Sequence, residues 1–228
     1  MDTDAGVMLL GWCRWQGRKQ GGQDKREELA WHHADPMRFL PPAMEARGRP
    51  GTALDMGCGS GIDSVYMAKH GWQVTSLDFM DEALDMTRQL ASDEAVELNI
   101  VQTDVLEWDS SAQFDLLLDA GLLHNMQREK IPSYKKKILD WLKPDGDFVL
   151  SHWESRSDHD RVFGGPRCAT PDQVTELFAP ELSELKLFDR KEVRMCKVCE
   201  GDLCQHYGEH CRGIGPNLTI AYYWFRRP

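Results

Sequence analysis

The stretch Ala53-Leu54-Asp55-Met56-Gly57-Cys58-Gly59-Ser60-Gly61 decides the fold of this 228-residue chain. Residues 53–56 form a short apolar run that predicts a buried strand, and Ile62, Val65 and Tyr66 then recur at the spacing of a helix face. Glycines between a strand and a helix let the backbone turn sharply, and because they lack a Cβ they let a ligand approach closely. The stretch therefore predicts a strand, a glycine loop and a helix that border a ligand crevice. A glycine turn needed only for packing is the alternative.

The alternation of short apolar runs and helical stretches continues beyond this unit. Further strands are predicted at residues 74–77, 99–102, 114–118 and 148–151. Because strands separated by helices need crossover connections, we expect an α/β fold with a doubly wound, mostly parallel sheet and helices on both faces. Two late apolar runs, at residues 185–193 and 218–225, predict an antiparallel hairpin at the edge of the sheet, joined by a Cys/His-rich insertion.

Two helices have recognisable ends in the sequence. A helical stripe that runs from Ile131 to Leu142 is expected to end in a turn at residues 143–146, which have the sequence Lys-Pro-Asp-Gly. Further on, Thr170 is a predicted N-cap, with a proline at the next position and Gln173 as its capping-box partner.

The length favours one domain with insertions, so we divide the chain into a leader, residues 1–50, and a main domain, residues 51–228, with the insertion at residues 195–217. The leader contains three tryptophans, Trp12, Trp15 and Trp31, and large amphipathic rings of this kind suggest a lid over a ligand. A loop or a solvated helix face is the alternative.

Composition excludes several classes of function. The chain carries a net charge of −10, which repels nucleic acid and acidic membrane surfaces on average. No apolar run approaches the roughly 18 residues that cross a bilayer, and no basic region precedes the first apolar residues. We therefore expect a cytoplasmic protein without nucleic acid or membrane partners. The sequence carries no signal for an oligomeric state.

Acidic residues at the ends of the next strands indicate which ligand the glycine loop binds. Asp78 lies 17 residues after Gly61, and Asp104 ends the third strand. A carboxylate at this edge can accept hydrogen bonds from ribose hydroxyls. A dinucleotide is disfavoured because Asp63 would bring negative charge to the place where the pyrophosphate binds. S-adenosylmethionine has no phosphate and carries a positive sulfonium, so it fits the acidic surroundings.

With these residues, the chain resembles the class I S-adenosylmethionine-dependent methyltransferases over about residues 50–180. The resemblance is carried by the glycine motif, Asp78, Asp104, Phe114-Asp115 and Leu142-Lys143-Pro144-Asp145-Gly146. The small-molecule branch that includes thiopurine and tellurite-resistance methyltransferases is similar in three segments, Gly59-Ser60-Gly61-Ile62-Asp63-Ser64, His70-Gly71-Trp72-Gln73-Val74-Thr75 and Asp119-Ala120-Gly121-Leu122-Leu123-His124.

The resemblance implies roles for individual residues. The glycine segment would hold the methionine part of the cofactor, Asp78 the ribose and Asp104-Val105 the adenine, with the substrate mouth at residues 119–124. The full predicted cofactor-binding set is Asp55, Gly57, Cys58, Gly59, Gly61, Asp78, Phe79, Asp104, Val105, Asp119 and Trp31.

Methyl transfer from a sulfonium is an in-line displacement, in which the protein chiefly aligns the reactants and excludes water. An acceptor that must lose a proton needs a base, and His124 at the substrate mouth is the candidate because imidazole titrates near neutrality. Trp153, Arg161 and Arg167 are further substrate candidates. Each candidate also has a purely structural interpretation: the histidine is only hydrogen-bonded near the end of the sheet, the tryptophan only packs, and the arginines are solvated at the surface.

A cluster of soft ligands near the end of the chain is not explained by the resemblance. Its members are Cys196, Cys199, Cys204, His206, His210 and Cys211. Thiolate and imidazole ligands at this spacing favour a structural zinc ion. Capture of a soft metalloid substrate and ordinary buried or free cysteines are the alternatives.

The sequence thus predicts a small-molecule methyltransferase that uses S-adenosylmethionine and acts on a thiol or soft metalloid. The alternative is a module that binds the cofactor and zinc for interaction or sensing without methyl transfer. A nicotinamide dehydrogenase is a third option, which only the fold supports.

Overall fold

The computed structural model describes residues 33–153, 169–194 and 217–228. The described residues from Pro36 onward belong to one compact unit, and residues 33–35 are not part of it. Among the described helices, none is long and apolar enough to span a bilayer.

The centre of the compact unit is a seven-stranded sheet. Its strands are β1 (Thr52–Met56), β2 (Gln73–Asp78), β3 (Asn99–Gln102), β4 (Phe114–Asp119), β5 (Leu142–Trp153), β6 (Ser183–Arg194) and β7 (Asn217–Arg226). They lie in the order β3-β2-β1-β4-β5-β7-β6. The first five are parallel, whereas β7 is antiparallel to both β5 and β6. The predicted doubly wound sheet and its antiparallel edge hairpin are confirmed.

Helices connect the parallel strands, as the crossover argument requires. Helix α1 (Leu40–Ala46) precedes β1, α2 (Ile62–Lys69) connects β1 to β2, α3 (Asp81–Asp93) connects β2 to β3, α4 (Ile131–Trp141) connects β4 to β5, and α5 (Pro171–Phe178) lies between β5 and β6. Short 3₁₀ turns lie at Leu123–Asn125 and Arg128–Lys130. The start of α5 has the predicted capping box, because Thr170 accepts from the Gln173 backbone and the Gln173 side chain accepts from the Thr170 backbone.

Two apolar cores cover the two faces of the sheet. One core joins alternate strand residues such as Leu117 and Phe148 to Tyr134 of α4 and Phe178 of α5. The other joins the residues between them, such as Leu116, to α1 and α2. Since neighbouring side chains on a strand point to opposite faces, burial of consecutive residues means that both faces of β4 are covered.

The compact unit begins at Pro36 and not at the predicted position 51. Helix α1 buries Leu40, Ala43 and Met44 in the second core, which makes it part of the main domain. Pro41 and Pro42 lie in the first turn of α1, where proline is well accommodated because the first N–H groups of a helix have no acceptor within it.

The turn expected at residues 143–146 is incorporated in the start of β5. This strand begins at Leu142, directly after α4, and its pairing with β4 shifts register between Phe114 and Leu116. Asp145 has a φ of 59°, so the left-handed turn conformation persists as an irregularity within the strand.

Candidate active site

The glycine loop follows β1 at the carboxyl edge of the sheet. The backbone N–H groups of Gly57 and Cys58 both donate to the carbonyl of Leu77 at 2.8 Å, which ties the loop to the end of β2. Gly57 and Gly61 have φ values of 74° and 82°, in the left-handed region that favours glycine. The loop is therefore a fixed bend, and Gly57 is exposed at its tip.

Thr87 of α3 supports this loop from beneath. Its hydroxyl donates to the carbonyl of Gly59 at 3.0 Å and lies 3.7 Å from the thiol of Cys58, and Thr87 is fully buried. A Cβ on Gly61 would come within 2.7 Å of the Thr87 hydroxyl oxygen. The third glycine of the motif is thus needed both for its backbone conformation and for close contact with α3.

Cys58 does not bring a reactive thiol to the glycine loop. Burial raises the pKa of the Cys58 thiol well above its ordinary value, and the charges of Asp55 and Asp78 act in the same direction. The thiol therefore stays protonated at neutral pH, and it is a poor nucleophile.

Asp78 lies at the end of β2, beside the glycine loop. One carboxylate oxygen accepts from the backbone N–H of Gly59 at 3.0 Å, and the other accepts from that of Met80 at 2.9 Å. Burial raises the pKa of Asp78, and the backbone hydrogen bonds from Met80 and Gly59 oppose that shift. The carboxylate is held in one orientation at the edge where a ribose is predicted to bind, and the adjacent Phe79 is half exposed.

Asp55 supports the loop from inside the domain. It is 1% exposed, and it accepts a hydrogen bond of 2.6 Å from the hydroxyl of Ser64 on α2. Asp63, the residue that disfavoured a pyrophosphate, is also buried and accepts from the backbone N–H of Met37 at 2.7 Å. A direct contact of Asp55 with the cofactor stays a prediction.

The segment after β3 reaches the same edge. Asp104 is exposed, and its carboxylate accepts from the backbone N–H of Leu106 at 2.8 Å, which stabilises the turn. The neighbouring Val105 is buried in the first core. The structure thus places the predicted adenine-binding residues on the turn that follows β3.

Asp119, at the end of β4, supports the loop that follows this strand. Its side chain is fully buried and accepts four hydrogen bonds from this chain. The donors are the backbone N–H groups of Gly121, Leu122 and Leu123 and the hydroxyl of Tyr134. With donors from this chain on both oxygens, Asp119 supports the loop after β4, and its direct contact with the cofactor stays a prediction.

The loop after β4 brings His124 to the side chains that follow from β5. The imidazole of His124 stacks on the ring of Trp153, with centroids 4.3 Å apart and planes 18° apart, and His152 meets it edge-on at 5.8 Å. His124 is 4% exposed and Trp153 is partly exposed. Two of the predicted substrate residues are therefore in contact at the carboxyl edge of the sheet.

The other predicted site residues lie outside the described residues. They are Trp31, Arg161, Arg167, Cys196, Cys199, Cys204, His206, His210 and Cys211. Among the side chains that the structure describes, those of residues 33–153, 169–186 and 220–228, no three His, Cys, Asp or Glu are arranged to hold a metal ion.

Two supporting residues were missed by the sequence analysis. Tyr134 was interpreted only as part of the apolar stripe of α4, and the signal was its hydroxyl at an otherwise apolar position. Burial and the charge of Asp119 raise the pKa of Tyr134 well above its ordinary value, so its hydroxyl remains a donor. Thr87 had no local signal, because its partners are 28 and 29 residues away.

Comparison with known proteins gives matches in sequence and in fold. Residues 53–146 match the family described as a methyltransferase domain. A thiocyanate methyltransferase from Brassica oleracea is 33% identical over 118 residues, which are 51% of this chain and 50% of that protein. One from Arabidopsis thaliana is 30% identical over 154 residues, 65% of this chain and 66% of that protein. This chain thus spans about half to two thirds of the length of these relatives.

A solved structure, TehB from Haemophilus influenzae, has a TM-score of 0.68 to this chain at 17% identity, and the match covers 86% of this chain and 64% of that chain. At this level of identity, the likeness concerns the fold. It supports the Rossmann-like arrangement of strands and helices described above.

Proposed function

This chain belongs to the class I S-adenosylmethionine-dependent methyltransferases, and we propose that it methylates a small, soft acceptor, a thiol or related sulfur nucleophile. The observation that supports S-adenosylmethionine as the methyl donor is the arrangement of the glycine loop and Asp78. They form a cradle fixed by backbone hydrogen bonds, with the Asp78 carboxylate at its side.

The cradle fits the cofactor chemically. Gly57 and Gly59 present backbone without side chains, Asp78 accepts hydrogen bonds from ribose hydroxyls, and the exposed Phe79 and the turn at Val105 border the adenine. When bound, S-adenosylmethionine supplies a methyl group on a sulfonium. The acidic surroundings of the loop are compatible with that positive charge.

His124 and Trp153 form the wall of the acceptor side in this proposal. Their stacked rings exclude water and give the acceptor a fixed surface to approach. A thiol that arrives protonated transfers its proton to a ring nitrogen of His124, whereas an acceptor that is already an anion needs no base. Arg161 and Arg167 are proposed to pair with an acidic group on the substrate.

The acceptor class is inferred from the relatives. Both thiocyanate methyltransferases are named for a small sulfur-containing anion, which is a soft nucleophile. A soft metalloid acceptor has the same requirement for alignment without strong base catalysis. Because this chain spans only part of those relatives, the acceptor remains a proposal.

We also propose that the cysteine-rich segment holds a structural zinc ion. The support is the sequence spacing of Cys196, Cys199 and the later ligands, in a compartment such as the cytoplasm where thiols stay reduced. Metal analysis of protein purified without added zinc should give about one zinc per chain. Cys199→Ser should lower that content and the control Cys168→Ser should not, while a wild-type content near zero would contradict the proposal.

The activity is tested with deuterated-methyl S-adenosylmethionine and a panel of acceptors. The panel contains thiocyanate, alkyl thiols, a phenol, an amine and a metalloid oxyanion. We expect one labelled methyl group on a soft acceptor for each S-adenosylhomocysteine released. Cofactor binding without product from any acceptor would contradict the enzyme and would favour a binding module.

A further inference from the structure

We propose that Tyr134 is a positioning residue for the acceptor side of the site, because its hydroxyl holds Asp119 and thereby fixes the loop that carries His124. The expected effect on activity rests on the proposed function, whereas the expected effect on the position of His124 does not. The contacts themselves concern one buried carboxylate, one helix and one loop.

The first step is the hydrogen bonding of Asp119. The carboxylate is fully buried, and three of its four donors are consecutive backbone N–H groups, those of Gly121, Leu122 and Leu123. The N–H groups of Gly121 and Leu122 lie just before the 3₁₀ turn at Leu123–Asn125, and that of Leu123 is the first within it, so the carboxylate binds the entry of the turn. The orientation of the carboxylate therefore determines the path of the loop.

The second step is the fourth donor. Tyr134 lies on α4 with its ring fully buried in the first core, and its hydroxyl donates to the same Asp119 oxygen that accepts from Leu123. A phenylalanine could fill the ring position, so packing alone does not require the hydroxyl. A buried carboxylate that loses one of its donors is less firmly oriented, and the hydroxyl thus links α4 to the loop.

The third step connects the loop to His124. Asn125 donates to the Gly121 carbonyl at 2.7 Å and closes the turn around the imidazole. Gly121 has a φ of 125°, and a Cβ there would lie 2.9 Å from Cε1 of His124. The imidazole is confined between this backbone and the ring of Trp153, so a shift of the turn moves His124 against the tryptophan.

The test compares Tyr134→Phe with Tyr66→Phe, a control on α2 where the ring packs against His70. The first readout is the NMR resonance of the His124 ring C–H, which the adjacent Trp153 ring displaces. The second is the acceptor kcat/KM, measured with S-adenosylhomocysteine affinity. Tyr134→Phe should move the His124 resonance and lower kcat/KM about tenfold, the value of one hydrogen bond, with S-adenosylhomocysteine affinity within about twofold. Tyr66→Phe should change none of these.

A second variant, Gly121→Ala, displaces the imidazole directly and leaves the core hydroxyl in place. If Tyr134 acts through the loop, its effect and that of Gly121→Ala on the His124 resonance should be non-additive in the double variant. An unmoved His124 resonance in Tyr134→Phe would overturn the inference, and so would additive effects. The NMR readout needs no turnover, so it decides this inference even if no acceptor is methylated.

Discussion

Three aspartates near the glycine loop show how one residue type takes different roles according to its partners. Asp55 is turned inward to Ser64, and Asp119 is occupied by four donors from its own chain. Asp78 instead accepts one backbone N–H on each oxygen and reaches the edge of the crevice. Because each carboxylate oxygen has two lone pairs, Asp78 retains capacity for ribose hydroxyls.

Asp78→Asn is expected to weaken S-adenosylhomocysteine binding by at least about tenfold, because hydrogen bonds to a charged acceptor are replaced by weaker ones. Burial raises the pKa of Asp78, so wild-type affinity should begin to fall at a higher pH than for an ordinary aspartate as the solution is acidified. Calorimetric titrations between pH 8 and pH 5 test this. If the asparagine variant had the same affinity and the same pH dependence as wild type, Asp78 would not be a cofactor-binding residue.

Thr87→Val should weaken cofactor binding without a change in the crevice surface. The substitution keeps the shape and removes the bond to the Gly59 carbonyl, so the glycine loop loses a support. We expect a three- to tenfold increase in the dissociation constant of S-adenosylhomocysteine, consistent with about one hydrogen bond. Thr87→Ser should retain most of the affinity. Equal binding by the valine variant and wild type would show that the loop needs no such support.

His124→Ala separates the two classes of soft acceptor. A protonated alkyl thiol needs a base, so kcat with a thiol should fall by about 100-fold, the lower range for general base catalysis. Thiocyanate is already an anion and should lose much less. The exposed His70 provides the control variant His70→Ala. A uniform loss across both acceptors would assign His124 to packing against Trp153 instead of proton transfer.

The sequence predicted these site residues unevenly. Asp78 was identifiable because a carboxylate after the second strand of this pattern has one expected position. Asp119 also follows a strand, and its different role depends on Tyr134, which lies 15 residues later on a helix. Such a partner is visible only when α4 is packed against the loop, so residue type and position alone did not distinguish the two aspartates.

At the scale of elements, α1 is joined to the sheet by a network of charges at the edge opposite the glycine loop. Arg47, directly after α1, donates to Asp147 at 2.9 Å and to Asp115 at 3.3 Å. Asp115 also binds Lys143 and the backbone N–H of Thr52, each at 2.9 Å. The network connects the starts of β1, β4 and β5, which explains why α1 belongs to the compact unit.

Asp115→Asn should destabilise the protein at neutral pH and make it less sensitive to acid. Burial alone would raise the pKa of Asp115, but the Thr52 backbone and Lys143 outweigh it and lower the pKa. The ionised carboxylate therefore stabilises the fold above the ordinary aspartate pKa of about 4. This stabilisation is lost progressively as the pH falls from that value towards the lowered pKa of Asp115 in the folded protein.

Urea unfolding at pH 6 and pH 3.5 tests the prediction. Asp115→Asn should lower the free energy of unfolding at pH 6 by about 1–3 kcal/mol, and it should lose less than wild type on acidification. The exposed Asp109 provides the control, Asp109→Asn, which should follow wild type. Parallel loss in wild type and the Asp115 variant would contradict the role of the ionised carboxylate.

Local patterns predicted elements well where the chain itself contains the determinant. The capping box of α5 needs only residues 170–173, and the strands of the parallel sheet follow from short apolar runs. Helix α1 was missed because its burial depends on strands far along the chain. The early start of β5 was missed because pairing with β4 overrides the turn preference of the Pro-Asp-Gly sequence.

At the scale of the whole molecule, the strand order brings the site together. The ends of β1, β2, β3, β4 and β5 meet at one edge because these strands are parallel, so Gly57, Asp78 and His124 converge although they are separated in sequence. The antiparallel pair β7 and β6 extends the sheet beyond β5. The crossover argument predicted that these strand ends meet. It could not predict the contact between His124 and Trp153, because that contact depends on the path of the loop after β4.

A crystal structure with bound S-adenosylhomocysteine tests the central claim most directly. We predict the methionine part against the exposed backbone at Gly57 and Gly59, both ribose hydroxyls on the Asp78 carboxylate, and the sulfur facing the stacked rings of His124 and Trp153. The ligand found elsewhere, or in this crevice with its ribose away from Asp78, would contradict the account.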